Sequence, residues 1–131
     1  MAGSYGVFQV IFNEISAAEI SQLPTLAQLE VLNEFQVSPD DLEDIDDHGE
    51  DSTFGTIKKE GKQLYRYRAN DLRIYFEIAD SGEAIIVHRV LNRNTFADFL
   101  FRTNLSKEDD DLSNSKHFWK LIEEGENARR L

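Results

Sequence analysis

The chain of 131 residues contains no cysteine, which excludes disulfides and thiolate metal ligands and fits a reducing compartment. No apolar run approaches the ~20 residues that a bilayer span requires. The N-terminus lacks the basic and long apolar segments of a signal peptide, so a soluble, cytoplasmic protein without a membrane partner is expected. Basic residues are scarce: 14 Lys and Arg stand against 25 Asp and Glu, for a net charge of −11. Taken whole, that balance argues against a nucleic-acid partner. There is no internal repeat, no glycine-rich phosphate loop, and no Ser/His/Asp or Cys/His constellation with interpretable spacing. What remains is a chain with 40% apolar residues, long enough for one domain with a true core.

Charge is unevenly distributed. Residues 58–102 carry nine basic and six acidic side chains, a balance of +3, whereas the rest carries five basic and nineteen acidic ones, a balance of −14. Within the basic part, QLYRYR, LRIYFEIA and AIIVHRVL read as three consecutive strands. Leu72, Ile74, Phe76 and Ile78 alternate with Arg73, Tyr75 and Glu77, the period of two that marks a sheet with one apolar face. Asn70-Asp71 and Ser81-Gly82 are turn dipeptides of the kind that close tight hairpins. A two-residue loop at Asn70-Asp71 pairs Ala69 with Leu72 and sets Arg68 opposite Arg73 and Arg66 opposite Tyr75. A two-residue loop at Ser81-Gly82 pairs Asp80 with Glu83 and sets Tyr75 opposite His88. Tyr65, Tyr67, Ile74, Phe76 and Ile78 are then expected in the core, and Arg66, Arg68, Arg73, Tyr75, Glu77 and His88 on the other face. Like charges directly opposite on a sheet repel, so Arg68 against Arg73 is an arrangement that an anionic ligand relieves. The alternative is an ordinary solvated face.

Elsewhere, Val7 to Asn13 reads as a fourth strand. Ser16 with Glu19 predicts a capping box and a short helix that Pro24 ends. Thr25 with Gln28 repeats the device for a helix striped by Leu26, Leu29, Leu32 and Phe35. Ser38-Pro39 opens a third short helix that buries Leu42 and Ile45. From Asp40 to Asp51 eight of twelve residues are acidic, and the stretch up to Gly61 reads as a loop. Its Asp44 to Gly49 segment lacks the alternating ligands and distal Glu of a Ca²⁺ loop, and no metal site is expected. Thr95 or Asn94 caps a helix bearing Phe96, Phe99 and Leu100. After the acidic run SKEDDDL at 106–112, Ser113 or Ser115 caps a last helix in which Phe118, Leu121 and Ile122 share a face flanked by Trp119. That stripe is expected to dock on its own domain rather than on a partner.

The element order, together with LYRYRANDLRIYFEIADSGEAIIVHRVLNR, resembles the RelE/ParE superfamily of bacterial toxin components, over roughly Val7 to Arg102. The resemblance implies an α+β fold, RelE-like, in which an N-terminal strand and helices pack on a small antiparallel sheet with a three-strand meander. Residues 1–102 would be the toxin domain, and 103–131 an added acidic linker and C-terminal helix. It further implies a toxin of a toxin–antitoxin system, neutralised by an antitoxin protein. That toxin would be a ribosome-dependent endoribonuclease that cleaves mRNA by attack of the ribose 2′-OH, with neither metal nor other cofactor. Arg73 and Arg93 match the family's catalytic arginines, which stabilise the phosphorane, and Arg66 matches a strand position that contacts phosphate. Arg68 and Tyr75 lie beside them as further candidates for RNA contact. Leu64 stands where such nucleases carry a lysine and Phe99 where many carry a tyrosine. His88 is then the candidate in the meander with a useful pKa for proton transfer. The second reading is a RelE/ParE-like protein-binding module without nuclease activity, gyrase-directed or degenerate.

Overall fold

A computed structural model describes residues 6–43, 45, 53–69, 72–92 and 116–131. The order is β1 (Gln9–Phe12), α1 (Glu14–Ser21), α2 (Thr25–Glu34), α3 (Pro39–Glu43), β2 (Phe54–Lys59), β3 (Lys62–Ala69), β4 (Leu72–Ile78), β5 (Ala84–Leu91) and α4 (Lys116–Asn127). The five strands form one sheet in the order β1-β5-β4-β3-β2, with β1 parallel to β5 and the other pairs antiparallel. This is the expected α+β architecture with one strand more. Phe54–Lys59, read as loop, pairs with β3 from Phe54↔Tyr67 to Lys59↔Lys62. Its FGTIKK sequence gives the second core little besides Ile57, so the periodicity that marks a strand is nearly absent.

The β3–β4 register is the expected one, with Arg68↔Arg73 and Arg66↔Tyr75. The Asn70-Asp71 turn itself lies outside the described residues, as do the caps at Asn94, Thr95, Ser113 and Ser115, the Phe96–Leu100 helix, the SKEDDDL run, and most of the acidic stretch after Glu43. The second hairpin departs from expectation. Ile78↔Ile85 and Phe76↔Val87 hold, but a bulge then shifts the register so that Tyr75 faces Arg89 instead of His88. The connection is also longer than two residues. Gly82 N–H donates to Ala79 C=O, and Gly82 takes φ +75°, the left-handed region that glycine enters at little cost. Ile78, expected in the core, is 37% exposed at the mouth of this turn.

One face of the sheet buries Tyr67, Ile74, Phe76, Val87 and Val90 against Phe35, Ile20 and Val37 from the α1–α3 segment. Three helix expectations need correction. Asn13, not Ser16, caps α1: Asn13 Oδ1 accepts from Ser16 N–H at 2.7 Å while Ser16 Oγ accepts from Asn13 N–H at 3.0 Å, a reciprocal box. No side chain caps α2; Gln28 reaches back to donate to Leu23 C=O at 2.7 Å. Leu26, Leu29 and Leu32 are 74%, 54% and 51% exposed, because α2 meets the core through Val31 and the Phe35 that follows it. Ser38 does cap α3, with Ser38 Oγ accepting from Asp41 N–H and Asp41 Oδ2 accepting from Ser38 N–H; Leu42 packs there half-buried.

The opposite face carries α4. Phe118, Leu121 and Ile122 bury against Ile57, Leu64, Tyr75 and Leu91, with Trp119 at the margin, so the last helix docks on its own sheet as its stripe suggests. Gly125 permits the close approach. A Cβ there would sit 3.1 Å from His88 Cα and closer still to the His88 carbonyl, whereas the bare backbone fits. Asn13 ties both ends of the chain together by donating from Nδ2 to Gly125 C=O at 2.8 Å and His88 C=O at 3.2 Å. Beyond α4, Leu131 N–H donates to Phe12 C=O, and Arg129 C=O accepts from Glu14 N–H.

Candidate functional site

β3, β4 and β5 place the candidate side chains on the face that α4 covers, and the covering divides them. Arg66 is only 3% exposed and donates from Nη1 to Thr53 C=O at 3.1 Å. Tyr75 is wholly buried, its ring edge-on to Phe118 with centroids 5.0 Å apart. The expectation of an open cationic face therefore fails at its centre, because the amphipathic α4 fills it. At the end next to the β3–β4 turn, Arg68 and Arg73 stay half-buried and directly opposed. Arg73 Nη1 donates to Leu72 C=O at 2.9 Å, and Arg68 is anchored by its N–H on Thr53 C=O at 2.8 Å. Arg93 lies outside the described residues.

His88 occupies the bulge. Instead of facing Tyr75 among the arginines, it is 2% exposed beside two carboxylates. Nε2 lies 3.2 Å from Glu77 Oε1, and Glu126 of α4 is the other acidic neighbour. Lys62 reaches across from β3 to Glu126. Burial is the main influence on the imidazole and lowers its pKa from the ordinary 6.5; Glu77 and Glu126 pull it back up only in part. Neither ring nitrogen has a partner in hydrogen-bond geometry.

Arg89 belongs to no motif that would single it out in the sequence. The bulge turns it under α4, where it is fully buried and donates to both carboxylate oxygens of Glu19, from Nη2 to Oε2 at 2.7 Å and from Nε to Oε1 at 3.3 Å. Its Nη1 donates to Leu121 C=O at 3.2 Å and to Glu124 Oε1 at 3.4 Å. Burial pushes the Glu19 carboxyl up, and Arg89 with the Val90 N–H draws it back. Glu19 also accepts from Val90 N–H at 2.8 Å, and Ser16 Oγ donates to Val87 C=O at 3.0 Å. Three α1-end side chains, Asn13, Ser16 and Glu19, thus satisfy the edge of β5 beyond the reach of β1. The spacing of three between Ser16 and Glu19 places both side chains on one face of α1, and that is the signal of their shared role at β5.

Chemically, the half-buried Arg68 and Arg73 carry planar donors of the kind that suit a phosphate. The arrangement also offers a buried imidazole that the β5 bulge sets beside Glu77. Among the described residues no helix is long and apolar enough to cross a membrane.

No protein-family model matches the chain, and no curated protein matches it. Among solved structures, a chain of the toxin-antitoxin complex RelBE2 from Mycobacterium tuberculosis aligns with a TM-score of 0.51 at 19% identity, covering 66% of this chain and 99% of that one. A chain of the archaeal RelE-RelB complex from Pyrococcus horikoshii OT3 aligns at 19% identity and a TM-score of 0.46, covering 67% and 97%. The fold is RelE-like.

Proposed function

We propose that this chain is the toxin of a toxin–antitoxin pair, restrained by an antitoxin protein, and that it acts as an mRNA endoribonuclease on the ribosome. The observation that carries this reading is the Arg68↔Arg73 pair at the β3–β4 turn end of a RelE-like sheet. Two arginines directly opposite each other on a sheet favour an anionic ligand, and a phosphorane concentrates negative charge in its transition state. Arg73 and Arg93 are assigned to that charge, and Arg68 to holding the flanking phosphate. Arg66 and Tyr75 contact RNA, and His88 moves a proton, only in a state in which α4 has left the sheet.

Burial of Arg66, Tyr75 and His88, together with the net charge of −11, favours a second reading: a toxin-like protein that binds its partner without cutting RNA. Induced expression with and without the antitoxin encoded beside it, scored by growth and by mapping mRNA 5′ ends, separates the two. Under the first reading, new 5′ ends appear in ribosome-bound messages, and Arg73→Ala and Arg93→Ala each remove most of them while the melting temperature holds. Growth arrest without new 5′ ends selects the second reading.

A further inference from the structure

We propose that Glu77, His88 and Glu126 form a site for one divalent ion of the zinc class, which clamps α4 to the sheet. The site is independent of the toxin reading. Its three donors come from three elements, β4, β5 and α4, and all the donor atoms lie within 4.8 Å of one another. Neighbouring ligands of a tetrahedral zinc stand about 3.4 Å apart, given bond lengths of about 2.1 Å. His88 Nε2 and Glu77 Oε1, at 3.2 Å, are already at that spacing, and since all donors lie within 4.8 Å of one another, a closure of at most about 1.4 Å brings Glu126 to it.

The cluster has an ordinary explanation, a histidine beside one acid and a lysine on another, and that explanation leaves His88 unaccounted for. The ring is 2% exposed, holds Nε2 3.2 Å from Glu77 Oε1 outside hydrogen-bond geometry, and has no hydrogen-bond partner at Nδ1. A buried imidazole in that condition is costly as a structural residue. Glu77 and Glu126 are only partly buried, which leaves an entry path and room for a water to complete the coordination. One imidazole with two carboxylates suits zinc, cobalt or manganese, and suits calcium poorly. The competing cation is Lys62, whose ammonium sits on Glu126. Metal entry displaces it, and with the ion bound α4 is fixed by coordination as well as by Phe118.

The test uses the full chain stripped with EDTA. ZnCl₂ is followed by calorimetry and melting temperature, and CoCl₂ by its visible absorption bands, which report nitrogen and oxygen ligands directly. One ion per chain is expected, with a rise in melting temperature and no displacement by excess Ca²⁺. Glu77→Gln and Glu126→Gln, both on half-exposed carboxylates that leave the packing in place, should each weaken binding at least tenfold, since loss of even an outer-shell partner costs about 10- to 100-fold. Lys62→Met removes the competitor and should tighten binding severalfold. Absence of one-to-one binding overturns the proposal. So does binding that both Gln variants leave unchanged, because the ion is then held elsewhere, as by the acidic stretch of residues 40–51.

Discussion

Glu19 and Arg89 are a buried pair whose two members depend on each other unequally. Arg89 keeps Leu121 C=O and Glu124 if Glu19 is lost, but its charge is then poorly compensated in a dry interface. Glu19→Ala is expected to destabilise the fold by about 3–5 kcal/mol, and Glu19→Leu with Arg89→Met together by much less, because a well-packed apolar pair avoids the desolvation that the charges incur. Urea unfolding of the singles and the double, closed as a cycle, checks this. His88 gives a pH dependence of definite sign. Its folded pKa lies below 6.5, so between the two values the unfolded chain binds a proton that the folded chain does not. Stability of the metal-free protein is therefore full above pH 6.5, falls as the pH drops below it, and levels once the folded pKa is passed. The groups facing the ring are Glu77, Glu126 and Lys62. His88→Gln should remove this slope in urea midpoints measured from pH 7.5 to 5, and a slope that persists would assign it to another group.

At the scale of elements, α2 and α4 both carry an apolar stripe in sequence, yet α4 buries its stripe and α2 exposes most of its own. Phe118 is fully buried, so Phe118→Ala should cost about 3–5 kcal/mol. Leu29→Ser and Leu32→Ser lie on the exposed side of α2 and should each change stability by no more than about 0.5 kcal/mol. Thermal unfolding of the three variants decides it. The difference also shows what a sequence can convey. The β3–β4 register was legible because a two-residue spacing and strict alternation leave one solution. The α4 stripe was legible for the same kind of reason, since three large apolar residues share one turn. The bulge at His88 left no trace in the letters, because either register sets one polar residue opposite Tyr75. β2 was hidden by a strand whose burial rests on Ile57 and a buried Gly55. The leucines of α2 have the spacing of a core face, and only the three-dimensional path of α1 and Phe35 determines which side of the helix the sheet meets. Of the candidate site, the pairing of the arginines could be foreseen. The burial of Arg66 and Tyr75 could not, because it depends on where a helix some 25 residues beyond β5 comes to rest.

For the molecule as a whole, the balance of −11 opposes approach to any nucleic acid, and under the nuclease reading a few arginines must overcome it locally. If Arg68, Arg73 and Arg93 are the phosphate contacts, binding to a single-stranded message should weaken with salt at a slope of about −2 in log K against log concentration, since each contact contributes about −0.7. Filter binding across 50 to 300 mM KCl measures it. A slope near zero would remove phosphate recognition from the mechanism. Deleting residues 116–131 is not a clean way to uncover the arginines, because it also bares Ile57, Leu64, Tyr75 and Leu91. Such a protein should melt well below the full chain, and the truncation reports on stability before it reports on binding.

The bond from Asn13 to Gly125 spans 112 positions of the chain, and it has a consequence for how the protein is made. Synthesis proceeds from the N-terminus at a rate far slower than local folding. The Asn13 amide, the β5 bulge and the whole second core must therefore wait for α4 to emerge from the exit tunnel. Until then the nascent chain presents Tyr75 and Leu91 uncovered, with Arg66 and Arg89 lacking the helix that closes over them. Protease digestion of chains stalled at residue 110 and of released chains should show this as cleavage that disappears on release. If the arginine face acts on RNA, a ribosome is the one place where the chain is obliged to exist, for a time, with that face open.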